Sequence, residues 1–112
     1  MDFKDYKADY FILPDGEICT DSVCDFMRKA RDLLYQTPSL TDSHITLFRL
    51  KTGQYTVLLQ ADRDYFMLCL KDGQQTRTLR RWQSCSPFEL MTKAAFEHWI
   101  LELLQDFETK TA

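Results

Sequence analysis

Ile45-Thr46-Leu47-Phe48-Arg49-Leu50-Lys51-Thr52-Gly53-Gln54-Tyr55-Thr56-Val57-Leu58-Leu59-Gln60 is the stretch that decides the architecture. Two runs rich in β-branched, aromatic and aliphatic residues, Ile45 to Lys51 and Tyr55 to Gln60, flank Thr52-Gly53. The pattern reads as a β-hairpin that pairs Leu50 with Tyr55 and Phe48 with Val57. Downstream, the Asp62-Arg63-Asp64 loop returns the chain through Tyr65 to Leu70, bringing Leu59 near Phe66 and Val57 near Leu68. Asp72-Gly73 marks a third turn. The last run, Thr76 to Gln83, is polar and β-branched and carries Arg77, Arg80 and Arg81, which suits an exposed edge strand guarded against further pairing.

Alternation through this register gathers Phe48, Leu50, Tyr55, Val57, Leu59, Phe66, Leu68, Leu70 and Leu79 on one face, a core. The other face collects Ile45, Leu47, Leu58, Tyr65, Met67, Cys69 and Trp82, more apolar surface than a monomer leaves wet. The sheet is therefore expected to be enclosed on both sides, by helices or by helices and another protein.

Two helices are available. Val23, Phe26, Met27, Ala30, Leu33 and Leu34 recur at spacings of three and four, with Thr20 or Asp21 as cap and Thr37-Pro38 as stop. Arg28, Lys29, Arg31 and Asp32 take its wet side. Ser86-Pro87-Phe88-Glu89 combines an N-cap serine, a proline at the first helical position and a glutamate placed for a capping box. A long helix is expected from there to about Phe107, and its apolar residues cover more than a narrow stripe. Tyr10 to Leu13, followed by Pro14-Asp15-Gly16, reads as a short strand and turn. The expected fold class is thus α+β: a four-stranded antiparallel meander over about 44–83, an amphipathic helix over about 21–36, a long C-terminal helix over about 87–107, and a possible extra N-terminal strand over about 10–13, all in one domain of 112 residues.

Charge is segregated along the chain. Residues 1–25 carry seven acids against two lysines, Arg28 to Arg81 ten bases against five acids, and the remainder two bases against five acids, giving the net −3. Such blocks suit internal complementarity or the steering of a charged partner. No apolar run approaches the roughly 20 residues of a membrane span, and the acidic start (Asp2, Asp5, Asp9) is unlike a signal peptide. The expected setting is cytoplasmic, with Cys19, Cys24, Cys69 and Cys85 as free thiols.

Motifs for chemistry are missing. His44 and His98 lack zinc-ligand spacing, Cys85 with His98 has no orienting third group, and Asp62, Asp64 and Asp72 read as solvated turn acids without the glycine and terminal glutamate of a calcium loop. No glycine loop or serine elbow is present, so neither a cofactor nor an enzyme is expected. The favoured function is a small acidic protein-binding module, a regulator, inhibitor or chaperone-like adaptor. Its contacts would come from Tyr65, Met67, Trp82 and Trp99 as anchors and from Arg77, Arg80 and Arg81 as carboxylate receivers, and the surplus apolar face makes a homodimer possible. The alternative is a nucleic-acid-binding protein using the basic strand 76–82, or a nucleic-acid mimic using the acidic N-terminal segment. The acidic pI of 5.3 weighs against nucleic acid as a partner.

Overall fold

Five strands run antiparallel in the order β1-β2-β3-β4-β5: Lys7–Tyr10, Ile45–Thr52, Tyr55–Ala61, Phe66–Asp72 and Gln75–Trp82. Helix α1 spans Val23–Gln36, and α2 spans Lys93–Thr111. The structure is a computed structural model that describes residues 5–10, 22–36 and 44–111. The four-stranded meander, the helix before it and the long C-terminal helix are all present, and an N-terminal strand joins the sheet beside β2. That strand is Lys7–Tyr10; the expected positions 11–13, the turn at Pro14, the Thr20 or Asp21 cap and the Thr37-Pro38 stop lie outside the described residues.

The hairpin turns sit one residue later than expected. Thr52 pairs with Tyr55 and Leu50 with Val57, so the two-residue loop is Gly53-Gln54. Gly53 and Gly73 hold φ of 54° and 65°, and no other described residue has positive φ, the type II′ pattern that matches strand twist. The next hairpin is displaced in the same sense, Leu59 facing Leu68. A shift of two in pairing leaves every side chain on its original face.

Two bulges do change faces. In β2 the register jumps between Thr46 and Phe48, leaving Leu47 as the extra residue; in β5 Leu68 pairs with Arg80 but Cys69 with Thr78, leaving Leu79 extra. Each inserted residue reverses the alternation beyond it. Ile45 therefore joins Ala61, and Trp82 joins Phe66, on the core face, not on the opposite face expected for both.

Both helices cover that one face. Phe96, Ile100 and Leu104 of α2 and Val23, Phe26, Met27, Ala30 and Leu34 of α1 form a single core with Phe48, Leu50, Val57, Leu59, Phe66, Leu68 and Leu70. Phe48 meets the rings of Tyr10 at 4.8 Å and Phe96 at 5.2 Å. Of the two coverings expected, helices on both sides are not found: among the described residues both helices lie on one face and none on the outer one. There Leu58 and Met67 are half-buried, Cys69 is buried between them, and Lys7, Arg49, Lys51, Lys71 and Arg81 surround the stripe. With Ile45 and Trp82 turned inward, the remaining apolar groups are too few to require a second layer.

Helix starts also depart from expectation. Ser22 caps α1, its Oγ accepting from the Asp25 N–H at 3.2 Å. Ser86-Pro87-Phe88 forms only a 3-10 turn, closed by Phe88 N–H to the Cys85 carbonyl and Glu89 N–H to that of Ser86. The helix proper begins after Thr92, whose Oγ1 accepts from Ala95 N–H at 3.1 Å. Burial of Phe88 and the tie of Val23 N–H to the Met91 carbonyl bend the chain here, so the second cap prevails over the first. Arg31 also leaves the wet side: its guanidinium lies 3.8 Å from the Phe66 ring centroid and donates to the Gln83 carbonyl.

Candidate functional site: the groove between β5 and α2

Strand β5 ends the sheet, and residues of β5 and α2 line shared hollows. A long helix with apolar residues on more than one stripe cannot bury them all against one sheet face. Phe96, Ile100 and Leu104, four residues apart, are fully buried, while the adjoining stripe of Trp99, Leu103 and Phe107 stays half-buried. Leu79 and Trp82 from β5 approach this second stripe, as do Phe88 and Met91 from the connector. The result is a groove in two parts. One hollow of about 300 Å³ is lined by Arg80, Trp82, Pro87, Phe88, Met91 and Trp99. The next, of about 250 Å³, is lined by Leu79, Arg80, Leu103, Asp106, Phe107 and Lys110.

The floor is rigidly packed. Trp82 meets Phe88 edge-on at 4.8 Å and Trp99 at 6.2 Å, and Phe88 meets Phe96 at 5.6 Å, the tilted geometries that ring quadrupoles favour. At the far end Phe107 packs edge-on to Tyr55, and the Arg77 guanidinium stands 5.2 Å from its ring. Arg77, Arg80 and Lys110 against Asp106 leave the rim positive.

Of the seven sequence candidates, Arg80, Trp82 and Trp99 come together here, with Arg77 at the far end. Tyr65, Met67 and Arg81 do not. Met67 pairs with Arg81 on the outer face, where the Arg81 guanidinium lies 4.2 Å from the Tyr65 ring. The Leu79 bulge is the cause, because it places Arg80 and Trp82 on the helix side and Arg81 on the other. The arginines expected for phosphate contact lie on two faces, Arg77 and Arg80 on the helix side and Arg81 on the outer one.

Sequence reasoning missed Leu90. It is 97% exposed, between Phe88 and Met91, which line the groove. Reading Ser86 as a helix start hid it; the competing Thr92 cap was the signal that could have revealed it.

The remaining chemistry is sparse. Cys85 contacts Cys24, while His98 pairs with Glu102 at 3.1 Å, so no Cys85–His98 pair is assembled. Asp62 is a turn clamp: its Oδ1 accepts from the N–H groups of Asp64 at 2.8 Å and Tyr65 at 2.7 Å. Burial alone would raise its carboxyl pKa, but those two N–H groups, with His44 and Arg31, outweigh burial and hold it below the ordinary carboxylate value. Among the described residues no group of three or more His, Cys, Asp or Glu is placed to hold a metal, and no helix is long and apolar enough to cross a membrane. Comparison with protein-family models, with curated proteins and with solved structures found no match.

Proposed function

We propose that this chain is a protein-binding module, a regulator, inhibitor or adaptor, that receives an extended segment of its partner along the groove between β5 and α2. The observation that carries this reading is the row of half-buried Leu79, Trp82, Met91, Trp99, Leu103 and Phe107 at an open sheet edge, with Leu90 exposed beside it. Large apolar and aromatic groups in a half-open groove are the anchors that dominate contact energies. The free edge of β5 adds main-chain donors and acceptors for a sixth strand.

Charge selects among occupants. In a second copy pairing β5 antiparallel with itself, Arg77, Arg80 and Arg81 would meet one another, and like charges directly opposite destabilise. An apolar strand with acidic flanks would instead find Arg77, Arg80 and Lys110. A cytoplasmic setting accords with the buried thiols.

Both tryptophans of the chain line one hollow, so intrinsic fluorescence reads its occupancy. Peptides selected from a random displayed library on the folded protein should be apolar with acidic flanks, and should shift the tryptophan emission. Their affinity should fall at least tenfold on Arg80→Glu with Lys110→Glu. Peptides that bind both proteins equally and leave the emission unchanged would refute the groove. Salt-sensitive binding of single-stranded nucleic acid, lost on the same reversals, would favour the alternative.

A further inference from the structure

The thiols of Cys24, in the first turn of α1, and Cys85, in the connector after β5, meet at 2.7 Å. They are 61 residues apart in sequence and both are buried, at 2% and 8% exposure. We infer that Cys24 and Cys85 are a dithiol–disulfide site, closed by a small disulfide of the oxidised-glutathione class, that covalently ties α1 to the connector between β5 and α2. The inference is independent of the binding role proposed above.

Three features carry it. First, both sulfurs are mounted on backbone already held together: Val23 N–H donates to the Met91 carbonyl, Ser22 and Thr92 form a bridge, and Arg31 donates to the Gln83 carbonyl. Closing the bond requires the sulfurs to approach by less than about 1 Å, since an S–S bond is about 2.05 Å. Second, the Arg28 Nη2 lies 3.4 Å from the Cys24 sulfur and can stabilise a thiolate there. Third, Cys69 is held apart on the outer face, near Gln60 and Thr78, so it does not compete for either sulfur.

The chemistry balances in two exchanges. Cys85, the less buried, loses its proton and attacks one sulfur of the oxidant, breaking that S–S bond and releasing one glutathione thiol. The Cys24 thiolate then attacks the Cys85 sulfur of the mixed disulfide and expels the second glutathione. Two electrons and two protons pass from the cysteines to two glutathione molecules. Burial, followed by the contact with Cys85, pushes the Cys24 thiol up to about 11, so closure is slow and needs the connector to open.

The test incubates the folded protein with oxidised glutathione and reads intact mass, with peptide mapping. The expected product has lost about 2 Da and joins the Cys24 and Cys85 peptides, with a melting temperature several degrees above the reduced form. Cys24→Ala should accumulate a single glutathione adduct at Cys85 and show no such loss. A wild-type protein that carries stable adducts without the loss, or that joins Cys85 to Cys19 or Cys69, overturns the assignment. So does one that stays reduced while a denatured, refolded sample closes through other cysteines.

Discussion

Leu58 and Leu59 are neighbours of identical chemistry on opposite faces of β3, so truncating each to alanine isolates the effect of the covered face. Leu59 is fully buried between its cross-strand partners Phe48 and Leu68. Leu59→Ala removes three buried carbons and leaves a closed cavity in a packed core, at a cost of about 3 to 4 kcal/mol. Leu58 is half-buried, lies between Arg49 and Cys69, and borders a concavity of about 500 Å³ on the outer face. Its truncation forfeits about half of the transfer energy of three carbons and encloses no void, about 1 kcal/mol. A chain of this length unfolds with an entropy of about 0.24 kcal/mol/K, so each kcal/mol shifts the melting temperature by about 4 °C. The expected losses are therefore about 12 to 16 °C for Leu59→Ala and about 4 °C for Leu58→Ala by the same scaling. Calorimetry and urea unfolding would measure both, at protein concentrations about a hundredfold apart. Equal losses, or a larger one at Leu58, would refute the one-sided sheet; a loss at Leu58 that grows with concentration would show a second copy covering that face.

Deleting Leu79, which has no cross-strand partner, should leave a regular ladder in which Arg80 still faces Leu68 and Trp82 still faces Phe66, so the tryptophan emission should stay native. A deletion variant with red-shifted emission would show that the extra residue is needed to seat Trp82 in the groove. Asp62→Ala should remove part of the acid sensitivity. The depressed carboxyl of Asp62 contributes stability that is present above its unfolded value, about 3.9, and lost as pH falls through the lower folded value. Urea unfolding at neutral pH and near pH 3 should accordingly show a smaller drop for the variant than for the wild type. Glu97→Ala should release β1, because the Tyr6 and Tyr10 hydroxyls both donate to that carboxylate, at 3.0 and 2.7 Å. Hydrogen exchange at Lys7–Tyr10 should accelerate while the amides of β3 stay protected. The Tyr6 phenol is held above its ordinary value, by the Glu97 hydrogen bond first and then by burial and the Glu97 charge. Its contribution is present below the unfolded value, about 10, and lost as pH rises through the folded one, so the two proteins should converge in stability in strong alkali.

The strands, their antiparallel order from 44 to 83 and the two helices were legible in the sequence, because hydrophobic period and glycine turns are local signals that pairing only reinforces. The second stripe of α2 was legible for the same reason: Trp99, Leu103 and Phe107 sit beside Phe96, Ile100 and Leu104 on any helix drawn from residue 96. What required the tertiary structure was the direction of side chains beyond each irregularity. Bulges at Leu47 and Leu79 form because the helices cover one face only, which rewards turning Ile45 and Trp82 toward them, and no local preference of leucine announces them. The choice between Ser86 and Thr92 as the start of α2 was likewise settled by a distant contact, the anchoring of Met91 to Val23. So was the meeting of Cys24 with Cys85, which follows from where α1 docks and from nothing in the spacing of the cysteines.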